Sequence, residues 1–313
     1  MSDIKRGMQA KTIRKILRSK LEDWLESITD QSLVGDIKRD VIVTGGSITS
    51  MLLGEKINDY DVYFKTKETT KKVADYYVSK FNAINNTKGL HTRDWTPQVR
   101  EATIANCKGE QEERIIVFIQ SAGVVSESQA DYKYFELYDP DLTSEFADSL
   151  VENIKEGEKY RTLFMSQNAI TLSDSMQIVI RFFGEPARIH DNYDFAHAMC
   201  YYDYYNNHLE LKAEAMQCML SRTLVYRGSL YPIASIFRMK KFIERGWKIN
   251  AGQQLKIMWQ INELNLKDPQ QLYEQLTGVD MAYMYQLISA IKGVDPERLN
   301  QAYIAEIIDR IFG

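Results

Sequence analysis

Residues 45–54 of this chain read GGSITSMLLG, and residues 59–61 follow shortly afterwards as DYD. The segment before the glycines, DVIVT at residues 40–44, is apolar and β-branched, which predicts a strand. The residues after the glycines are typical of the first turns of a helix. The glycine pair therefore lies where a strand ends and a helix begins. At such a junction backbone N–H groups can approach a phosphate closely, and the helix N-terminus favours negative charge.

The two aspartates of the DYD segment predict a metal site. Asp59 and Asp61 are two residues apart, and the chain continues as a predicted strand over residues 60–65. Because side chains alternate along a strand, both carboxylates point to the same face. Magnesium is bound in proteins by one or two carboxylates together with substrate phosphates. The segment thus combines a phosphate cradle with a divalent-metal site.

The combined pattern resembles the nucleotidyltransferase superfamily that includes DNA polymerase β, and within it the bacterial poly(A) polymerases and tRNA CCA-adding enzymes. The first motif of that group is Gly-Gly-x-Val-Arg-Asp-x-Leu-Leu-Gly followed by Asp-x-Asp. Thr49 and Ser50 stand here in place of its Arg and Asp. The positions that fit the motif are Gly45, Gly46, Ile48, Leu52, Leu53, Gly54, Asp59 and Asp61.

Two downstream segments extend the resemblance, in the right order, over roughly residues 40–250. Residues 193–201 (YDFAHAMCY) are similar to the segment that contacts the ribose in that family, with Asp194 as the candidate contact. Residues 231–242 (YPIASIFRMKKF) are similar to the helix that follows the head domain. Gln177 stands where the family tends to place a third acid, and Glu112, Glu113, Asp139 and Asp141 are the other acids considered for that role.

The resemblance implies a set of site residues. Asp59 and Asp61 would be catalytic and would hold two magnesium ions. Gly45, Gly46 and Ser47 would bind the β- and γ-phosphates of an NTP. The further candidates for binding the nucleotide or triphosphate are Arg181, Asp194, Arg238 and Lys241, for which a helix cap or a solvated surface is the alternative use.

Composition limits the class of protein. The chain has 313 residues, of which 44% are hydrophobic and 26% charged, as in ordinary globular proteins. Three widely spaced cysteines suit a reducing compartment and neither a disulfide framework nor a zinc site. No apolar run reaches the length of a membrane span, and the N-terminus lacks the apolar segment of a signal peptide, so we expect a cytoplasmic protein.

Charge is unevenly distributed along the chain. The net charge of −4 argues against indiscriminate coating of nucleic acid. Residues 222–248 are nevertheless basic and contain a single acid, Glu244, so this stretch is the predicted surface for a polyanion or triphosphate. A tyrosine cluster at residues 201–205 is more typical of core packing than of base stacking. The basic residues are Arg222, Arg227, Arg238, Lys240, Lys241, Arg245 and Lys248.

Together these patterns predict an α/β (α+β) nucleotidyltransferase head with a mixed sheet over residues 1–205, followed by an all-α neck and body region over residues 206–313. The head would contain an N-terminal helix over residues 1–33, a helix over 66–83, a buried strand over 114–120 and paired strands over 163–172 and 176–183. Residues 121–160 are polar and acidic, which indicates an insertion. From Asp194 onward the pattern is helical.

The predicted function is transfer of a nucleoside monophosphate from an NTP to a hydroxyl, with release of pyrophosphate. The resemblance favours the 3′ end of a tRNA-like RNA as the acceptor, and hence a role in tRNA processing. A transferase of the same fold that acts on a protein or a small molecule is the first alternative. A catalytically inactive module that binds nucleotide or RNA is the second, and the missing Arg-Asp pair and Gln177 favour it.

Overall fold

The computed structural model describes residues 7–86, 97–105, 111–119, 159–165 and 168–266, together with residues 275, 302, 305 and 306. The described chain divides into two compact units. The first unit extends to Arg227 and contains the glycine and aspartate motifs, and the second begins at Gly228. Among the described residues, no helix is long and apolar enough to cross a membrane.

The first unit begins with two helices, α1 (Ala10–Glu26) and α2 (Gln31–Asp40). The predicted single helix over residues 1–33 is therefore wrong. The break arises because Asp30 caps α2: its carboxylate accepts the backbone N–H groups of Ser32 and Leu33 at 2.9 and 3.1 Å. A side chain in that role satisfies N–H groups that have no acceptor within the helix, so a new helix starts there.

The predicted strand, helix, strand and helix around the motifs are confirmed, with shifted ends. In order they are β1 (Val41–Thr44), α3 (Gly46–Leu53), β2 (Tyr60–Phe64) and α4 (Lys67–Asn86). All four residues of β1 are buried, which explains its unbroken apolar and β-branched sequence.

The remaining strands correct several predictions. The predicted strand over residues 114–120 overlaps β4 (Gln111–Ile119), which begins earlier and pairs with β3 (Pro97–Ala105) in a separate two-stranded sheet; residue 120 lies outside the described residues. The predicted strand over 163–172 is two strands, β5 (Thr162–Met165) and β6 (Ala169–Leu172), and its partner β7 (Met176–Val179) is shorter than expected. The predicted insertion lies almost wholly outside the described residues.

The prediction of continuous helix from Asp194 is also wrong. A short α5 (Pro186–His190) and a 3₁₀ turn (Ala196–Ala198) precede two further strands, β8 (Tyr201–Asp203) and β9 (His208–Glu210). The predicted domain boundary at residue 205 falls in the turn between these strands. The unit then ends with α6 (Ala213–Ser221) and β10 (Thr223–Leu224).

In the described part of the chain the central sheet has seven strands, in the order β5-β6-β7-β2-β1-β8-β9. The β2 and β7 strands are parallel, and the pairs β1–β2, β1–β8, β5–β6, β6–β7 and β8–β9 are antiparallel. The sheet is therefore mixed, as predicted. Its centre is the pair of strands that flank the glycine motif.

Two layers cover the sheet. On one face, Trp24 of α1 lies 6.5 Å from the ring of Phe64 and donates a hydrogen bond to Tyr77 of α4 at 2.7 Å. On the other face, Ile189 of α5 packs with Ile42 and Tyr63. Because side chains alternate along β2, Phe64 and Asp61 point to opposite faces. The aspartate motif therefore lies on the face covered by α5.

The second unit contains α7 (Pro232–Glu244), β11 (Lys248–Ile249) and α8 (Ala251–Asn262). Pro232 opens α7 at a position where a missing N–H is harmless. Trp247 is buried against Phe242, with 6.2 Å between the ring centroids. The described part of residues 206–313 is mostly helical, but it also contains β9, β10 and β11, so the prediction that these residues are wholly helical is wrong.

A buried carboxylate connects the elements that flank the motif. Asp40, at the end of α2, accepts hydrogen bonds from the hydroxyls of Thr66 and Thr69 at 2.6 and 2.5 Å. Its backbone carbonyl accepts the N–H of Lys65 at 3.0 Å. Burial alone would raise the pKa of Asp40, but the two threonines and Arg39 outweigh burial and lower it. This aspartate therefore ties the start of β1 to the start of α4.

We expect Asp40→Asn to lower the free energy of unfolding at pH 7 by about 1–3 kcal/mol, because a buried hydrogen-bond network loses its charged acceptor. A lowered folded-state pKa stabilises the fold above the unfolded pKa of about 3.9, and this contribution is lost as the pH falls through the folded value. Urea unfolding at several pH values measures the difference. The exposed Asp191→Asn is the control, and equal stability of Asp40→Asn and the parent at pH 7 contradicts the assignment.

Candidate active site

Strand register brings the first motif and the aspartates together. Thr44 of β1 and Gln177 of β7 are the direct partners of Asp61 on either side. Asp61 is half-buried in the middle of the sheet, and Asp59 lies exposed just before β2. The site is therefore built where β1 ends and β2 begins.

Gly45 makes this arrangement possible. Its φ of +98° is in the region that favours glycine, and a Cβ placed there would lie 2.5 Å from Oδ2 of Asp61. Gly46 differs, since a Cβ at that position would meet no atom of the described residues within 4 Å. Only the first glycine of the pair is thus required by space. It lets the chain leave β1 while the Asp61 carboxylate occupies the volume of the missing side chain.

The first turn of α3 supplies hydrogen-bond donors beside this carboxylate. Gly45 is the N-cap of α3, and its own N–H is taken by the carbonyl of Ala198 at 3.2 Å. The N–H groups of Gly46 and Ser47 follow in the first turn, where no acceptor exists within the helix. The hydroxyl of Ser47 is buried and has no hydrogen-bond partner among the described residues. These donors suit a phosphate group.

The carboxylates repel one another in this setting. Burial, and then the charge of Asp59, raise the pKa of Asp61 well above its ordinary value. A divalent cation bound by both carboxylates would relieve this repulsion. The carboxylate oxygens, the glycine cradle and the Ser47 hydroxyl, which has no partner within the described ranges, therefore fit a magnesium–triphosphate group.

A cluster of hydrogen-bonded side chains lies beside Asp61 and is called the floor of the site; it consists of Thr44, His190, Tyr63 and Tyr193. The hydroxyl of Thr44 donates to the carbonyl of Cys200 at 2.9 Å, and Nε2 of His190 lies 2.8 Å from the same oxygen. Since the threonine proton is already used, His190 must donate through Nε2. Burial, with the charges of Lys212 and Arg227, lowers the pKa of His190 to about 4, so the ring is neutral at pH 7.

Tyr193 completes the floor. Its hydroxyl lies 3.1 Å from that of Tyr63, and its ring centroid lies 5.1 Å from that of His190. Burial raises the pKa of Tyr193 well above its usual value, and the Tyr63 and Asp61 charges act in the same direction. Thr44, His190 and Tyr63 were not predicted as site residues. Strand alternation in the sequence points to Tyr63 alone, because it is two residues from Asp61.

No third acid completes the site among the described residues. Gln177 occupies the position next to Asp61 on β7. Glu112 pairs with Arg114 at 2.8 Å and Glu113 with Lys67 at 2.9 Å, both on the separate β3–β4 sheet. Asp139 and Asp141 lie outside the described residues. Within the described ranges, no group of three or more His, Cys, Asp or Glu side chains could hold a metal ion.

The other predicted binding residues are spread over both units. Arg181 is buried just after β7, with its guanidinium 5.1 Å from the ring centroid of Phe182. Asp194 accepts the N–H of Arg227 through its backbone carbonyl at 2.8 Å. Arg238 and Lys241 lie on α7 of the second unit. Nucleotide binding by these four side chains stays a prediction.

The basic stretch is less cationic than its sequence indicates. Arg222 forms an ion pair with Glu55, and Arg227 forms one with Glu214 at 2.7 Å. Both acids come from outside residues 222–248, and these two arginines belong to the first unit while the other five basic residues belong to the second. The interpretation of the stretch as one continuous basic surface therefore loses two of its cations.

Comparison with known proteins gives a family and one distant structural similarity. The model of a family described as "Gabija anti-defense 2 family protein" matches residues 15–222. No curated protein matches the sequence. The Thermotoga maritima CCA-adding enzyme complexed with tRNA is similar over 93% of this chain and 53% of its own, with 11% identity and a TM-score of 0.38. The chain thus spans about half the length of that enzyme.

We expect Gly45→Ala to destabilise the fold by about 1–3 kcal/mol, because an alanine at positive φ is strained and its Cβ overlaps the Asp61 carboxylate. Gly46→Ala, where the added methyl meets nothing, is the matched comparison and should unfold like the parent. Thermal unfolding of both variants measures the difference. Equal loss of stability in the two would refute the asymmetry between the glycines.

We expect Asp61→Asn to raise the Tm at pH 7 in EDTA relative to the parent, because it removes a carboxylate whose folded-state pKa is raised. The sign follows from linkage. The contribution of Asp61 to the free energy of unfolding is fully present below the unfolded-state pKa of about 3.9 and is lost as the pH rises towards the folded-state pKa. The advantage of the variant should therefore vanish near pH 4. Magnesium should raise the Tm of the parent and leave that of the variant unchanged, and a parent insensitive to magnesium argues against the metal site.

Proposed function

The chain belongs to the Gabija anti-defense 2 family, and we propose that it counteracts the Gabija defence named in that family by metal-dependent nucleotidyl transfer. The reaction transfers a nucleoside monophosphate from an NTP to a hydroxyl. The acceptor oxygen forms a bond to the α-phosphorus, the bond from that phosphorus to the bridging oxygen breaks, and pyrophosphate leaves while the hydroxyl proton is released.

The observation that carries the proposal is the contact between the Gly45 backbone and the Asp61 carboxylate. The start of α3 lies next to one of the two acids, Asp61, and Asp59 lies just before the same strand. A glycine turn or an aspartate pair alone is common in proteins. The packing of Asp61 against the glycine turn, together with the buried Ser47 hydroxyl that has no partner among the described residues, supports a site for a magnesium-bound triphosphate.

The residues have separable roles in this reaction. Asp59 and Asp61 would hold two magnesium ions, which supply neutralisation of the triphosphate charge and a lower pKa for the acceptor hydroxyl. The N–H groups of Gly46 and Ser47, with the Ser47 hydroxyl, bind the β- and γ-phosphates. Thr44 fixes the strand that pairs with Asp61. Most of the acceleration then comes from positioning and charge stabilisation.

The acceptor defines the specificity of the reaction. The resemblance to poly(A) polymerases and CCA-adding enzymes favours an RNA 3′ end, supported by Arg238, Lys241 and the basic residues around them. A protein or small-molecule acceptor would not need these cations. Neutralising Arg238 and Lys241 together therefore separates the two classes, since it should weaken only a reaction that depends on RNA.

A second candidate is an inactive nucleotide-binding module. Gln177, an amide in register with Asp61, favours it, because many enzymes of the superfamily carry a third acid on a neighbouring strand. Such a module would bind NTP through the same helix start without turnover. It would act in the anti-defense role by binding alone.

We expect pyrophosphate release with magnesium and at least one of the four NTPs, tested with and without total small RNA. Asp59→Asn and Asp61→Asn should each lower the rate by about 100-fold or more, since each removes a metal ligand. Asp30→Asn is the matched control, because asparagine keeps the cap of α2 while the charge change is the same. A colourimetric pyrophosphate assay measures all variants.

The possible outcomes separate the alternatives. Release that needs RNA and both aspartates identifies an RNA-directed transferase. Release that needs the aspartates but not RNA moves the acceptor to a protein or a small molecule. NTP binding without release by the parent supports the inactive module, and release that persists in both aspartate variants overturns the site.

A further inference from the structure

A cationic face lies on the N-terminal half of α1, in a part of the chain that the nucleotidyl-transfer site does not use. Lys11, Arg14, Lys15 and Arg18 follow one another at helical spacing, so they share a face. The apolar side of the helix, which includes Ile13 and Leu17, is buried. The first three cations are exposed and form no ion pair with any described residue.

Fold stability does not explain these cations. The helix dipole places partial positive charge at the N-terminus, where basic side chains are unfavourable, and the first turn of α1 has no acid. Like charges three and four residues apart repel one another as well. The arrangement costs stability and concentrates positive potential in a protein whose net charge is −4. This combination is expected of a binding surface for a polyanion.

The cationic face is one wall of an open groove. The groove has a volume of about 530 Å³ and is lined by Thr12 and Asn207 in addition to the four cations. Asn207 belongs to the turn between β8 and β9. Arg18 links the two walls, because its guanidinium lies 5.1 Å from the ring centroid of Tyr204 in the same turn and it pairs with Glu22 at 2.9 Å.

The turn presents an exposed aromatic ring from a fixed backbone. Tyr205 is 69% exposed, although tyrosines usually bury most of their ring. The next residue, Asn206, donates to the carboxylate of Asp203 from its backbone N–H at 3.1 Å and from its side chain at 2.8 Å. Tyr202 donates to Asn207 at 3.0 Å. Hydrogen bonds therefore hold the residues on both sides of Tyr205, which carries the exposed ring.

We propose that this groove binds single-stranded nucleic acid, with phosphates on the cations of α1 and a base stacked on Tyr205. The cations from Lys11 to Arg18 extend over about 10 Å of helix, enough for more than one phosphate. Tyr205 belongs to the turn that borders the cationic face through Tyr204 and Asn207. Single-strand binders combine a cationic track with exposed aromatic rings, because an unpaired base offers a free ring face. A duplex, an anionic membrane or an acidic protein would use the cations without needing the ring.

The groove acts independently of the nucleotidyl-transfer site. Trp24 packs α1 against the sheet face that carries Phe64, whereas Asp61 points to the opposite face. Binding should therefore persist in Asp59→Asn and Asp61→Asn. Failure of the transfer reaction and failure of the groove can consequently be observed separately in the same preparations.

The test is fluorescence anisotropy of the 313-residue chain with labelled oligouridine, oligothymidine and a DNA duplex, over a range of salt concentrations. The triple variant Lys11→Gln/Arg14→Gln/Lys15→Gln should weaken single-strand binding by at least tenfold. The slope of log Kd against log salt should fall by about 2, given about 0.7 per phosphate contact in single strands. Tyr205→Ala should weaken it about tenfold, with little effect on the duplex.

The matched control is Lys38→Gln/Lys71→Gln/Lys72→Gln, which removes the same charge from α2 and α4. It should bind like the parent. Comparison of oligouridine with oligothymidine distinguishes RNA from DNA as the source of the strand. The proposal is overturned if the parent binds no single strand, if the α1 variant and the control bind equally, or if Tyr205→Ala affects the duplex as much as the single strands. Anionic vesicles and polyglutamate serve as further probes. If the α1 variant loses binding only to these two probes, the proposal is overturned as well.

Discussion

The absence of a side chain at Gly45 is the constraint on which the candidate site depends. The end of β1, the start of α3 and the carboxylate of Asp61 converge on one small volume, and only a residue without a Cβ leaves room for all three. The positive φ of the same residue turns the chain from strand to helix. Gly45 thus determines the direction of the backbone N–H groups at the start of α3 and how closely they approach the Asp61 carboxylate.

The parts of the fold that rest on local signals were predictable from the sequence. The glycines, the apolar segment before them and the alternation after Asp59 each lie within a few residues, and the strand–helix–strand unit follows from them. The cap by Asp30 was also a local signal, since an aspartate shortly before the apolar pair Leu33 and Val34 marks a helix start. The apolar periodicity predicted one long helix through this position. In the structure Asp30 instead caps the start of a second helix.

The unpredicted parts depend on contacts that are distant in sequence. The strand Tyr201–Asp203 is too short for a period to show, and it exists because β1 offers it an unpaired edge. The hydrogen bond between Thr44 and His190 joins residues 146 positions apart. Glu55 and Glu214 neutralise arginines that look unopposed along the chain. The cationic face of α1 was visible in the sequence, but only the fold shows that Tyr204 and Asn207 lie beside it.

The buried His190 has a consequence for the interpretation of kinetics. The acidic limb of a pH–rate profile is often assigned to a histidine near the active site, since the ordinary pKa of histidine is near 6.5. Here the ring is locked as a neutral Nε2 donor, with a pKa lowered to about 4. A rate that changes between about pH 5 and 8 would therefore report the ionisation of the Asp59–Asp61 pair, the acceptor or the nucleotide. The imidazole therefore acts in this fold as a permanent hydrogen-bond donor, much like a backbone amide, and its charge does not change at cellular pH.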